Sequence, residues 1–284
     1  MDSPTRPGSP VSLAVPAAPS IADVYAAFEA LNRCVGVEAE GVAIDAASGP
    51  GPGGRLVLYA PTDASGAAVA LASSIAGAAS LGLDADEERL KLALRRGVCD
   101  FVVNGLDEAL RILKNEVRKR QPVAVGLVCD VPACLQEMVE RGVQPDVVAC
   151  PRAGLDSAFE LFVARGAVKL PEWSTAGPAA AGLREEVWWS AAESAARWLP
   201  QVDALAVEAI AGRPGEPDPR LRWLRVAARY LGRVPEHYVR MSTAEAERLI
   251  EAVASGIASG SLSAGVAVRR GRVAASSLAE SLNL

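Results

Sequence analysis

Short apolar runs at residues 56–59 (LVLY), 79–83 (ASLGL), 101–103 (FVV), 123–128 (VAVGLV) and 147–149 (VVA) alternate with stretches whose apolar residues recur at helical spacing. Each run is bounded by Gly, Asp or Pro. Runs this short and this uniformly apolar suit strands covered on both faces, so the pattern predicts an α/β fold with an open parallel sheet and helices on each side. Ligands of such sheets bind beyond the carboxyl ends of the strands, which directs attention to residues 61–66, 84–89, 104–107, 129–131 and 150–155.

The helices between the runs carry their own boundaries. Residues 67–79 are almost wholly Ala, Ser, Val and Gly, small enough for close helix-to-sheet approach. Asp86 is placed to cap the next helix, with Glu87 and Glu88 in its first turn and Arg95, Arg96 and Gly97 at its close. Residues 107–120 repeat the acidic start and basic end, and Asp130 precedes a first turn containing Pro132. Before the first strand lie an amphipathic helix at 21–32 and a turn-rich connection at 36–54. Later, 153–166 reads as a helix, 169–182 as a Pro- and Gly-rich connection, and 184–198 as a helix carrying Trp188, Trp189 and Trp198. Residues 202–210 fit strand or helix. They are followed by helices at 220–231 and 243–259, the latter opened by Ser242 or Thr243, and by strands at 238–241 and 265–269.

A chain of 284 residues, 50% hydrophobic, can bury one substantial core or two smaller ones. The net charge of -5, with Lys and Arg scattered, gives no electrostatic footprint for nucleic acid, so no nucleic-acid partner is expected. Five cysteines (Cys34, Cys99, Cys129, Cys134, Cys150) and one histidine, His237, show neither a paired framework nor metal-ligand spacing. Reduced thiols and a cytoplasmic location are expected, with no metal. Residues 1–20 lack the apolar core of a signal peptide and are expected to be a disordered tail. No run approaches the roughly 18 apolar residues a membrane helix needs. Cys129 and Cys150 stand at strand ends but read as inert core thiols. The Trp188-Trp189 pair reads as a core or interface anchor and is the basis for expecting a homo-oligomer. No triad, paired-carboxylate site or P-loop emerges.

The segments RLVLYA, SLGLDADEERL, LRRGVCD, LDEAL, PVAVGLV and EMVERGVQPDVV occur in the order found in urocanase, the NAD-dependent urocanate hydratase of histidine degradation, and the chain resembles that family. The likeness continues more weakly through RWLRVAARY, VPEHYV and the segment ending VAVRRGRV. It implies a Rossmann-like core at 55–168, preceded by the tail and the 21–54 helix and connection, and completed by a helical and mixed part at 169–284. On this resemblance, no counterpart of the family's separate amino-terminal domain is expected.

Residue by residue, the resemblance places cofactor-binding positions at Gly66, Asp84, Arg89, Asp130 and Arg152. The family's glycine-rich NAD turn, similar to GLGGMGG, here reads Pro61-Thr62-Asp63-Ala64-Ser65-Gly66-Ala67, so only Gly66 keeps its glycine. Pro61 has no amide hydrogen, and Asp63 adds negative charge where phosphates would lie. Asp84 matches the acidic residue that meets a cofactor ribose, and Arg89 matches a nearby family arginine. Asp130-Val131 replaces the family's Asn-Ala, and 151–155 (PRAGL) replaces its QTSAH. The catalytic segment with the family's essential cysteine would fall between Ile210 and Arg220, where only AGRPGEPDP stands. The expectation is therefore a non-hydratase relative with a binding or interaction role, no catalytic residues and no cofactor required, NAD being allowed only by the family likeness. The alternative is a small-molecule or nucleotide-binding enzyme using the former NAD crevice, and an active hydratase fits the residues least. A concave pocket at the strand ends would favour the alternative; a crevice filled by Pro61, Val131 and Leu155 would favour the first.

Overall fold

In the computed structural model, the described residues are 18–35, 51–149, 156–171, 185–210, 218–232 and 235–272. The tail at 1–17, most of the 36–54 connection, Cys150, Arg152 and Leu155, residues 172–184, the 211–217 interval and the end from 273 lie outside them.

The five predicted apolar runs are β1 (Leu56–Tyr59), β2 (Ala79–Asp84), β3 (Phe101–Val103), β4 (Val123–Val128) and β5 (Val147–Ala149), all parallel. A sixth strand, β6 (Val168–Lys169), joins β5 and completes the order β3-β4-β2-β1-β5-β6. Its two residues are too few to show a period. Because β2 flanks β1 on one side and β5 on the other, the connections change direction over the carboxyl end of β1.

Alternation along the strands divides two cores. Val57 and Tyr59 face α1 (Ile21–Val35) and α2 (Ala64–Ala76), and that core continues to Ala93 of α3 (Glu87–Arg95). Leu56 and Leu58 face the opposite layer of α4 (Leu106–Lys119), α5 (Val131–Glu140) and α6 (Asp156–Ala164). Both faces are thus covered, as the uniformly apolar strands require.

Among the remaining described residues is an antiparallel sheet, β8-β7-β9, from β7 (Glu185–Ala191), β8 (Glu236–Met241) and β9 (Val266–Arg272). Three helices accompany it: α7 (Ala195–Ile210), α8 (Pro219–Leu231) and α9 (Thr243–Ala258), the last opened by a capping box between Ser242 and Glu245. Here the helix expected at 184–198 is corrected. Val187, Trp188 and Trp189 are good strand formers, and their burial alternates with period two rather than following a helical stripe. Trp189 is 1% exposed in the core, whereas Trp188 is half-buried on the opposite face with its ring 5.1 Å from Tyr238. Residues 202–210 are helical, within α7.

Helix α1 joins the two sheets. Tyr25 packs edge-on against Trp223 (4.9 Å) and Tyr238 (5.1 Å), and Glu29 pairs with the buried Arg240 at 2.7 Å. The core around α1 runs without interruption from Tyr59 to Trp189 and Leu249.

Candidate functional site

The turn between β1 and α2 lies at the point where the strand connections reverse, the usual ligand position in this architecture. Asp63 has extended backbone there and caps α2. Its carboxylate accepts from the backbone amides of Ser65 (3.0 Å) and Gly66 (3.1 Å). Helix-opening amides are the groups that would hold a phosphate, and two of them are already held by a side chain of the same turn. Gly66 is buried, and a Cβ on it would lie 2.1 Å from the Pro61 carbonyl oxygen. Close packing of α2 on the turn is therefore sufficient reason for glycine here.

Asp84, at the end of β2, is 3% exposed. Its carboxylate accepts from the Thr62 amide (2.9 Å), the Asp86 amide (2.9 Å) and Arg89 Nη1 (2.8 and 3.0 Å). Those four contacts match the acceptor capacity of a carboxylate. Arg89 also reaches Asp86 through Nη2 at 3.3 Å, and Asp86 caps α3 by accepting from the Arg89 amide at 3.1 Å. Asp84, Asp86 and Arg89 thus form one clamp that ties the β1–α2 turn to the β2–α3 turn. Asp130 is exposed and caps α5 by accepting from the Ala133 amide at 2.9 Å. The Cys129 amide donates to the Asp84 carbonyl at 3.0 Å, which sets the end of β4 beside that of β2. The structure therefore brings Gly66, Asp84 and Arg89 together, gives Asp130 a local capping role, and leaves Arg152 outside the described residues.

Next to the clamp is a cavity of about 340 Å³. Thr62, Asp63 and Arg89 line one side, and Ala64, Ala67 and Leu71 of α2 face Leu92 and Ala93 of α3. The start of α1, with Ile21, and the end of α8, with Tyr230 and Leu231, close it. Tyr230 is partly buried, and loss of water around the phenol pushes its pKa up. Thr62 is 3% exposed, and its hydroxyl has no hydrogen-bond partner. The α8 and α1 contributions were not visible in the sequence, because they come from segments remote in the chain. Thr62 itself lay within the 61–66 turn singled out there.

Elsewhere, His237 Nδ1 donates to the Asp203 carboxylate at 2.7 Å, and Asp203 also accepts from Trp189 Nε1 at 2.9 Å. This joins β8, α7 and β7 by a polar bond under the second sheet. Cys34, Cys99, Cys129 and Cys134 are free thiols. Among the described residues no group of three His, Cys, Asp or Glu could hold a metal ion, and no helix is long and apolar enough to cross a membrane.

A parallel sheet wound on both faces, with its crevice over β1 and an acidic residue ending β2, defines a Rossmann-like α/β protein. More specifically, residues 43–152 match the family model of the urocanase Rossmann-like domain, so this part of the chain is similar to that domain.

Proposed function

We propose that this urocanase-like Rossmann-domain protein stands outside the hydratase reaction and serves a binding or interaction role. The observation that carries this reading is Asp63 on the Ser65 and Gly66 amides. The NAD pyrophosphate would need those donors, and would also meet the Asp63 charge. Asp84, the match for the family's ribose-binding acid, gives its acceptor positions to Thr62, Asp86 and Arg89. The residues present do not fit NAD. A cytoplasmic protein with reduced thiols, able to self-associate, belongs to the same reading.

The cavity beside the clamp favours a second reading, in which the former cofactor crevice takes a different small molecule. Both readings make the same claim about the family reaction: purified protein supplied with NAD will not consume urocanate. The check is the ultraviolet absorbance of urocanate beside an active urocanase control, together with calorimetric titration of NAD. Tight NAD binding, or turnover that survives repurification, would sink the proposal.

A further inference from the structure

We propose that Cys129 and Cys134 form a redox-active dithiol, a modification site at the carboxyl edge of the parallel sheet that a hydroperoxide closes to a disulfide. Neither sulfur lines the cavity beside the clamp, so the site stands apart from the reading of the crevice given above.

Placement comes first. Cys129 directly follows β4, its amide held by the Asp84 carbonyl at 3.0 Å, and Cys134 lies at the opening of α5, its amide donating to the Asp130 carbonyl at 2.9 Å. The strand-to-helix turn, capped by Asp130, folds the two side chains together. The Cys129 S–H donates a hydrogen bond to the Cys134 sulfur. Both pack in the core layer of α4 and α5, Cys134 6% exposed and Cys129 only half-buried. Sulfurs within hydrogen-bonding reach of each other have the proximity a disulfide needs. Cys129 was expected to be an inert core thiol, and this partner was hidden by a spacing that matches no familiar motif.

Electrostatics then give the two sulfurs different roles. The hydrogen bond from Cys129 lowers the Cys134 pKa and prevails over burial and the nearby Glu137 charge. The same bond pushes the Cys129 thiol up, and burial and the carboxylates of Asp130 and Asp84 add to it. Cys134 also sits near the positive end of the α5 dipole, which favours a thiolate. Cys134 is therefore the nucleophile, and Cys129 keeps its proton and resolves.

The Cys134 thiolate attacks one oxygen of a hydroperoxide, ROOH. The O–O bond breaks, ROH leaves with the proton that Cys134 had released to solvent, and Cys134 becomes a sulfenic acid. The Cys129 sulfur next attacks the Cys134 sulfur; the S–S bond forms, the S–O bond breaks, and hydroxide leaves with the Cys129 proton as water. In sum, two thiols lose two electrons to one peroxide, giving the disulfide, ROH and water.

The test treats reduced full chain with hydrogen peroxide, blocks remaining thiols with N-ethylmaleimide under denaturing conditions, and maps tryptic peptides by mass. Residues 121–141 contain both cysteines and no internal Lys or Arg, so they emerge as one peptide. It should be two hydrogens lighter and unlabelled, regain both thiols with dithiothreitol, and form at least about tenfold faster than Cys99 is oxidised, because burial holds that thiol up at about 11. In Cys129→Ser, Cys134 should stop at the sulfenic acid, which dimedone captures; in Cys134→Ser, Cys129 should stay reduced. Circular dichroism shows whether the variants fold, and if either does not, the parent's peptide decides alone. The proposal is overturned if that peptide carries two maleimides after peroxide, if oxidation links either residue to Cys34 or Cys150 instead, if it proceeds no faster than at Cys99, or if Cys129 oxidises equally well in folded Cys134→Ser.

Discussion

If Asp84 is a clamp rather than a ligand-binding acid, its removal must register in stability. Asp84→Ala deprives the Thr62 amide, in a buried turn, of its acceptor, and such an orphaned donor costs about 1–3 kcal/mol. The Asp86 amide and Arg89 are better placed to regain water, Arg89 having a side chain 26% exposed. Their two bonds therefore count only at the net value of about 1 kcal/mol each, giving a total of about 3–5 kcal/mol. At about 2–4 °C per kcal/mol for a domain of this scale, the midpoint should fall by roughly 6–20 °C. Asp84→Asn retains an acceptor oxygen and should lose about half as much. The assay is thermal and urea unfolding of parent, Asp84→Ala, Arg89→Met and the double variant. A clamp requires the pair to couple, the double variant losing less than the sum of the singles. Asp84→Ala unfolding within about 0.5 kcal/mol of the parent would refute the reasoning and return Asp84 to the pool of free ligand-binding groups.

Two other expectations concern titration. Burial opposes the charge on Glu245, but hydrogen bonds and attraction from Arg220 and the Ser242 amide outweigh it and hold the pKa below the usual 4.5. A depressed folded pKa means that the contribution is present above the unfolded value and lost as pH falls through the folded one. The gap in melting temperature between parent and Glu245→Gln should thus be largest near neutrality and narrow progressively below about pH 4.5; a gap constant down to pH 2 would contradict this. Burial pushes the Cys99 thiol up to about 11, so Cys99 should resist alkylation at pH 8 in the native protein and react only on unfolding, as peptide mass mapping would report.

Much of the sheet was legible because its strands are buried on both faces, and a residue run such as VAVGLV has few alternatives when Pro, Gly and Asp bound it. The Asp86 cap was legible for the same local reason, since it acts within three residues of its own position, whereas Asp130, assigned to a cofactor by family likeness, caps α5 instead. Trp188 and Trp189 were misread because two adjacent indoles look like a broad helical face, whereas their strand partners Tyr238 and His237 stand some fifty residues away and carry no local signal. Gly66, Asp84 and Arg89 were placed in one neighbourhood by family likeness, but their bonding could not be. Whether a carboxylate accepts from a ligand or from Thr62 depends on a turn geometry that spacing does not encode. Tyr230 and Leu231 entered the cavity wall only through the folding of α8 back onto α2.

The Asp63 arrangement shows how a cofactor cradle and a stable turn compete for the same donors. A helix opening onto a phosphate leaves its first amides to the ligand, and in the ligand's absence they face water or go unpaired. With Asp63 as the cap, two of those amides are satisfied within the chain, and the carboxylate also lies favourably at the positive end of the α2 dipole. The gain to the free protein is about 0.5–2 kcal/mol for the cap alone. A pyrophosphate arriving at this turn would have to displace that carboxylate and then remain beside its charge. On the proposed reading, what stabilises this turn is therefore also what opposes a cofactor phosphate, whereas the adjoining cavity sets apolar side chains of α2 and α3 beside Asp63, Arg89 and Arg96.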